Sequence, residues 1–147
     1  MNIINRFSMN FSARSANENF ARAAVSAFAA QLDPTLEEIN DIKTAVSEAV
    51  TNSIVHGYAD RIGKVTVTCT VNDRNEIKIC VRDKGCGIEN VARAMEPLFT
   101  TVGGERAGLG FAVMQSFMDQ VRVRSAVGKG TTVTMVKKIK PRYGIGG

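Results

Sequence analysis

Tryptophan is missing from the 147 residues, and aromatic side chains make up only 6% of them. There is no aromatic RNA-binding signature and no zinc-ligand spacing, which argues against the common nucleic-acid modules. No apolar run approaches the ~20 residues that span a bilayer, so no membrane segment is expected. The amino-terminal Met1-Asn2-Ile3-Ile4-Asn5-Arg6 does not lead into an apolar core and a small-residue cleavage site, which predicts no secretory signal. Three cysteines, Cys69, Cys80 and Cys86, form no CxxC pair and cannot all pair internally. That favours a reducing cytoplasm over a disulfide scaffold. No internal repeat or low-complexity linker breaks the chain, and residues 1–147 read as one domain.

What is present describes an ordinary soluble globule, 44% hydrophobic and 22% charged. The net charge of +5 keeps a nucleic-acid partner in view, but the cations look scattered apart from Lys137-Lys138-Ile139-Lys140-Pro141-Arg142. A short basic tail, here 139–147, is usually just solvated. An acidic protein or a polyphosphate suits the charge equally well, and direct nucleic-acid binding is the least expected reading.

Imperfect alternation over residues 3–12 predicts a half-buried strand. Ser15-Ala16-Asn17-Glu18 has the form of a capping box, and Phe20, Ala24, Ala27, Phe28 and Leu32 continue at helical spacing toward a stop near Asp33-Pro34. Thr35-Leu36-Glu37-Glu38 opens a second helix in the same way, with Leu36, Ile39, Ile42 and Val46 as its apolar row. This helix should run to His56, with Gly57 as a left-handed stop. Period two then takes over. Val65, Val67, Cys69 and Val71 share one strand face, Asn72-Asp73-Arg74-Asn75 turns, and Ile77, Ile79 and Val81 resume. A short helical piece is expected near 89–95 and an irregular lid over about 97–107. Gly108-Leu109-Gly110 opens a third helix, and strands 120–126 and 131–138 close the chain.

Four features could carry chemistry. Glu48, Asn52 and His56 are four apart, which places them on one helical stripe; a carboxylate one turn from a carboxamide suits a hydroxyl and a divalent metal. Asp83 ends a strand, followed by Gly85 and Gly87, where missing side chains would let a flat ring lie against the backbone. A buried carboxylate there could accept from the exocyclic amine of adenine and reject guanine. Gly108 and Gly110 at a helix start favour phosphate oxygens, although Leu109 stands where a Walker loop requires lysine. Gly130-Thr131-Thr132 could finish a polar pocket.

In this order and with this spacing, the set resembles the ATP-binding fold of the GHKL superfamily, shared by gyrase, histidine kinases and MutL, over Ser8 to Lys138. Closer still, Asn17–Arg22, Leu32–Thr35, Val46–Asn52, Pro97-Leu98-Phe99-Thr100-Thr101 and Gly108–Phe111 are similar to the anti-sigma F factors of sporulating bacteria, small serine kinases on this fold. The resemblance implies an α/β two-layer sandwich, with helices on one face of a mixed, mostly antiparallel sheet. It implies Mg²⁺ on Asn52, with ATP as phosphate donor and ADP as product. Glu48 would act on the attacking hydroxyl, Asp83 would read adenine with Thr131 or Thr132, and Gly85 and Gly87 would border the base. Thr100, Thr101, Gly108, Leu109 and Gly110 would hold phosphates, and Arg106 would reach the terminal one. The implied partners are a sigma factor, an anti-anti-sigma protein phosphorylated on serine, and a second copy through the first strand and helix, with Arg22 at a partner-contacting position. A stress-response regulator of the sigma B type, or a nucleotide-gated binding module without transfer, are the alternatives.

Overall fold

The computed structural model describes residues 1–58, 61–95 and 105–141, with only the backbone given for 105–109. Five strands form one sheet in the order β1-β2-β3-β5-β4. In chain order they are β1 (Ile3–Ser12), β2 (Lys64–Asn72), β3 (Glu76–Asp83), β4 (Gln120–Ala126) and β5 (Gly130–Lys138). All four pairings are antiparallel, so no parallel pair of the expected mixed sheet occurs among the described residues. Helices α1 (Ala16–Ala29), α2 (Leu36–Thr51), α3 (Val91–Ala94) and α4 (Glu105–Phe117) complete the domain. The inner positions of β2 and β3 (Val65, Val67, Cys69, Val71, Ile77, Ile79 and Val81) are wholly buried, as their alternation predicts. Burial pushes the Cys69 thiol up to about 12, which keeps it a protonated core residue. The outer positions form rungs across all five strands, one being Asn10–Thr66–Arg82–Thr132–Arg124. Among the described residues, no helix is long and apolar enough to cross a membrane.

Helix α2 packs against both α1 and α4. Its start is the expected capping box. The Glu38 amide donates to Thr35 Oγ1 at 3.1 Å, and the Thr35 amide donates to Glu38 Oε1 at 2.9 Å. The Lys140 amide donates to the other Glu38 oxygen at 3.1 Å, tying the end of the sheet to this helix start. Burial alone would push the Glu38 carboxyl up. The Thr35 and Lys140 amides, the Thr35 hydroxyl and the Lys137 charge outweigh it and hold the group below the usual carboxylate range.

Helix α1 departs from expectation at its start. Ser15 is itself helical rather than extended and so makes no side-chain cap, and the Glu18 carboxylate accepts instead from the Ser47 hydroxyl of α2 at 2.9 Å. The buried stripe is also rotated from the one its large residues suggest. Ala21, Val25 and Ala29 are sealed, whereas Phe20 is 53% exposed. Phe28 packs edge-on against Phe7 of β1, with ring centroids 4.7 Å apart. Leu36, expected in the apolar row of α2, is 83% exposed. It begins the helix, beside the capping turn rather than over the sheet.

Replacing Thr35 with alanine should lower the unfolding free energy by about 1 kcal/mol at neutral pH, read by urea denaturation. The Glu38 contribution is full above the ordinary carboxylate pKa of about 4.3 and is lost as pH falls through the depressed folded value. The stability gap between the native chain and Glu38→Gln should therefore close in acid; a gap unchanged at low pH contradicts this assignment.

Candidate nucleotide site

After Thr51 the backbone of α2 widens into a π-helical turn over Asn52–Gly57, closed by the Tyr58 amide donating to Ser53 O at 3.1 Å. Such an inserted turn is expensive and frequently marks a functional site. Here it swings Ser53 onto Asp83, with the hydroxyl donating to Asp83 Oδ2 at 2.8 Å. The Gly85 amide donates to Asp83 Oδ1 at 2.9 Å. Asp83 is only 5% exposed and Ser53 3%, so the carboxylate sits inside the protein with both oxygens partnered.

Glycine serves this site differently from the sequence reading. Gly57 is not left-handed and so is no conformational stop. A Cβ on it would stand 3.1 Å from the Asp83 carboxyl group. Gly85 is buried, and a Cβ there would fall 2.0 Å from the Gly57 carbonyl oxygen, so the space of its missing side chain is taken by Gly57 rather than left for a ring. Gly87 has φ +80°, and a Cβ would collide with the Ala126 carbonyl oxygen at 2.1 Å. Two of these glycines therefore lock the β3 exit loop against the π turn and the β4–β5 turn. The Cys86 amide donates to Gly57 O at 2.9 Å, and its exposed thiol lies 3.1 Å from His56 O.

Asn52, Ser53, His56, Gly57, Asp83, Gly87, Ile88, Phe111 and Thr131 converge on one cleft, of about 50 Å³. Asn52 Nδ2 is buried and has no hydrogen-bond partner among the described residues. Gly110 faces it: a Cβ there would stand 3.1 Å from that nitrogen and 3.2 Å from Oδ1. Thr131 lines the cleft, its hydroxyl 2.7 Å from that of Ser125. Thr132 does not. Strand alternation turns it to the outer face of the sheet, between Arg82 and Arg124 in register.

Glu48 is also separated from the cleft. Asn52 and His56 share it, but Glu48 lines a neighbouring open groove of about 560 Å³ with Arg22, Asn40, Lys43, Thr44 and Ser47. Along α1, Arg22 Nε lies 3.7 Å from Glu18, and Arg22 also bonds Asn19. Sequence reasoning missed Ser53, Ser125, Ile88 and Phe111 as site residues. Only the i+1 neighbour of Asn52 carried any signal, a serine beside the expected ligand. Helix α4 begins at Glu105, so Gly108 and Gly110 fall within its opening turns rather than ahead of them. Thr100, Thr101 and most of the expected lid lie outside the described residues, as do the side chains of Arg106 and Leu109.

Gly85→Ala should cost about 3 kcal/mol by overpacking against the Gly57 carbonyl. Gly128→Ala, with φ +80° but nothing within 4 Å, should cost only about 1 kcal/mol of backbone strain. Thermal melts of the two variants check the ranking, and equal losses would contradict it.

Residues 11–137 match the histidine kinase-like ATPase domain. The chain is 57% identical over 140 residues to an anti-sigma F factor of Thermoanaerobacter sp. (strain X514), covering 95% of this chain and 97% of that protein. It is 55% identical over 135 residues to that of Clostridium acetobutylicum, covering 91% and 94% respectively. Among solved structures, the RsbU and RsbW domains of a Mycobacterium tuberculosis protein superpose with a TM-score of 0.68 at 20% identity, a likeness of fold. That match covers 92% of this chain and 32% of the other. Buried carboxylate, unpartnered carboxamide and the strand and helix end that present them thus sit in a known frame: the chain belongs to the anti-sigma F factor family, on the histidine kinase-like ATPase fold.

Proposed function

We propose that this anti-sigma factor is also a protein serine kinase. It binds ATP in the cleft beside Asp83, passes the terminal phosphate to a serine of an anti-anti-sigma protein, and releases ADP. With nucleotide bound it holds a sigma factor of the F type inactive. The setting is the cytoplasm. The observation that carries the reading is the buried Asp83 carboxylate, held by Ser53 and Gly85 at the floor of a cleft whose wall carries Asn52.

An ionised carboxylate offers about four lone-pair sites, and two here are already used. Asp83 can therefore accept a further hydrogen bond from the amine of adenine. A guanine carbonyl in that place would face a carboxylate, with no donor between them. Thr131 stands on the same side, whereas Thr132 takes no part. Asn52 fits a Mg²⁺ ion: its carboxamide is unspent, and Gly110 leaves the space before it open. Among the described residues no three His, Cys, Asp or Glu side chains converge as a metal cage. A cation at Asn52 would then keep mostly phosphate and water ligands. When bound, it supplies charge neutralisation on the phosphates.

The separation of Glu48 from the cleft supports a division of labour. Nucleotide is held in the cleft, and the incoming serine approaches along the adjoining groove, one helical turn away, where Glu48 orients or deprotonates it. Arg22 and Lys43 in the same groove suit an acidic group of the partner. Gly108, Leu109 and Gly110 contribute backbone to the phosphates, with Thr100, Thr101 and Arg106 closing over them. The cleft of about 50 Å³ is smaller than the roughly 300–1,000 Å³ of ligand pockets, so it has to widen as nucleotide enters. The exposed Ile3, Ile4 and Phe20 of β1 and α1 support pairing of two copies through that edge.

Incubation with γ-labelled ATP and a serine-bearing antagonist tests the reading: label should move to the antagonist. ATP binding without transfer would instead make the chain a nucleotide-gated module. Asp83→Asn should weaken ATP binding at least tenfold by isothermal titration. Glu48→Gln should leave that affinity within about twofold while lowering transfer on the order of a hundredfold or more. A fully active Glu48→Gln enzyme removes Glu48 from the mechanism.

A further inference from the structure

The side of the sheet away from the helices is built from positions that are far apart in sequence. Three complete rungs cross all five strands, giving fifteen outward positions. Five of these are cations, Arg6, Lys78, Arg82, Arg122 and Arg124, and every one is exposed. Six others are serine or threonine, and none is acidic or aromatic. Contacts between Ser8 and Thr68 hydroxyls at 3.1 Å, and from Thr134 Oγ1 to Cys80 Sγ at 3.8 Å, show the outer side chains lying side by side. Among the described residues, no hydrogen bond or ion pair engages the side chains of Arg82, Arg122, Arg124 or Lys78. With strands about 4.8 Å apart and outward residues about 6.8 Å apart along each strand, the face measures about 19 by 14 Å. The whole chain carries +5, and these three rungs carry five positive charges and no negative one; at their edge Glu76 faces the same side, in register with Lys138.

We infer that this face binds the phosphate backbone of duplex DNA without sequence preference. Charge alone fits any polyanion, and the chemistry of the face chooses among them. A docking surface for protein is centred on apolar and aromatic anchors. Here only Val136 and Cys80 among the fifteen positions are apolar. Arginines interleaved with hydroxyls are instead the groups that contact phosphate oxygens. With no aromatic to stack on, unpaired bases gain nothing from the face, which favours a duplex over a single strand. The nucleotide cleft opens on the other side of the sheet, between Asp83 and the helices, so the two sites are separate.

Fluorescence anisotropy of the full chain with a labelled duplex of about 20 bp, over about 50–200 mM salt, tests this. The affinity should fall with salt at a log–log slope of about −3 to −4.5, from roughly −0.9 per phosphate engaged. Arg82→Ser/Arg122→Ser/Arg124→Ser should flatten that slope by about 3 and weaken binding on the order of a hundredfold near 0.1 M salt. Its ATP affinity and circular dichroism should not change. Arg124→Ser alone, a single exposed substitution, should flatten the slope by about 1. Salt-independent binding, or none, overturns the inference. So does a Lys140→Ser/Arg142→Ser variant that carries the loss instead, which would move binding to the basic tail. Displacement of the duplex by charge-matched polyglutamate as readily as by unlabelled duplex would reassign the face to an acidic protein.

Discussion

A carboxylate buried to 5% exposure is stable only while its oxygens are engaged, and much of this molecule is arranged to engage those of Asp83. One oxygen takes the Ser53 hydroxyl, which the π turn after Thr51 brings into reach. The other takes the Gly85 amide, which requires the β3 exit loop to double back against Gly57. Gly130 belongs to the same construction, since a Cβ there would fall 2.1 Å from the Asp83 carbonyl oxygen. The absent side chains at 57, 85, 87 and 130 are thus one requirement, that two loops and a helix end meet around a single charged group.

That requirement also orders the site. The π turn delivers Ser53 to Asp83 beside Asn52 and His56 on the cleft, while Glu48, one regular turn before Asn52, lines the groove beside α1. Glu18 links the two sides by accepting from Ser47, one residue before Glu48. It lies 3.7 Å from Arg22, which lines the same groove. A partner that moved Arg22 would therefore disturb Glu18, whose contact with Ser47 joins α1 to α2.

Much of the fold was legible because its signals are local. Alternation in β2 and β3 marks the core face, and the Thr35–Glu38 capping box forms as written. The residue types at 52 and 83 likewise announce a polar site before any fold is known. Local signals failed wherever a side chain had a distant competitor. Ser15 is drawn into helical geometry and forms no box, and Glu18 bonds Ser47 instead, twenty-nine residues away. Phe20 and Leu36 lie outside the sealed core because helix rotation is set by what packs closely, here the small stripe Ala21, Val25 and Ala29.

The amino-acid order by itself determined the strands and helices, the hydrophobic face of each, and the chemical types gathered for a nucleotide, since periodicity and capping act within a few residues. Tertiary structure alone decided which of those groups share a cleft. Pairing register turns Thr131 inward and Thr132 outward, and the widened turn brings Ser53 onto Asp83. It also collected onto one face cations that look dispersed along the chain. Five strands each place every second residue on the same side, and a property created by register across strands has no counterpart in the spacing of any one of them.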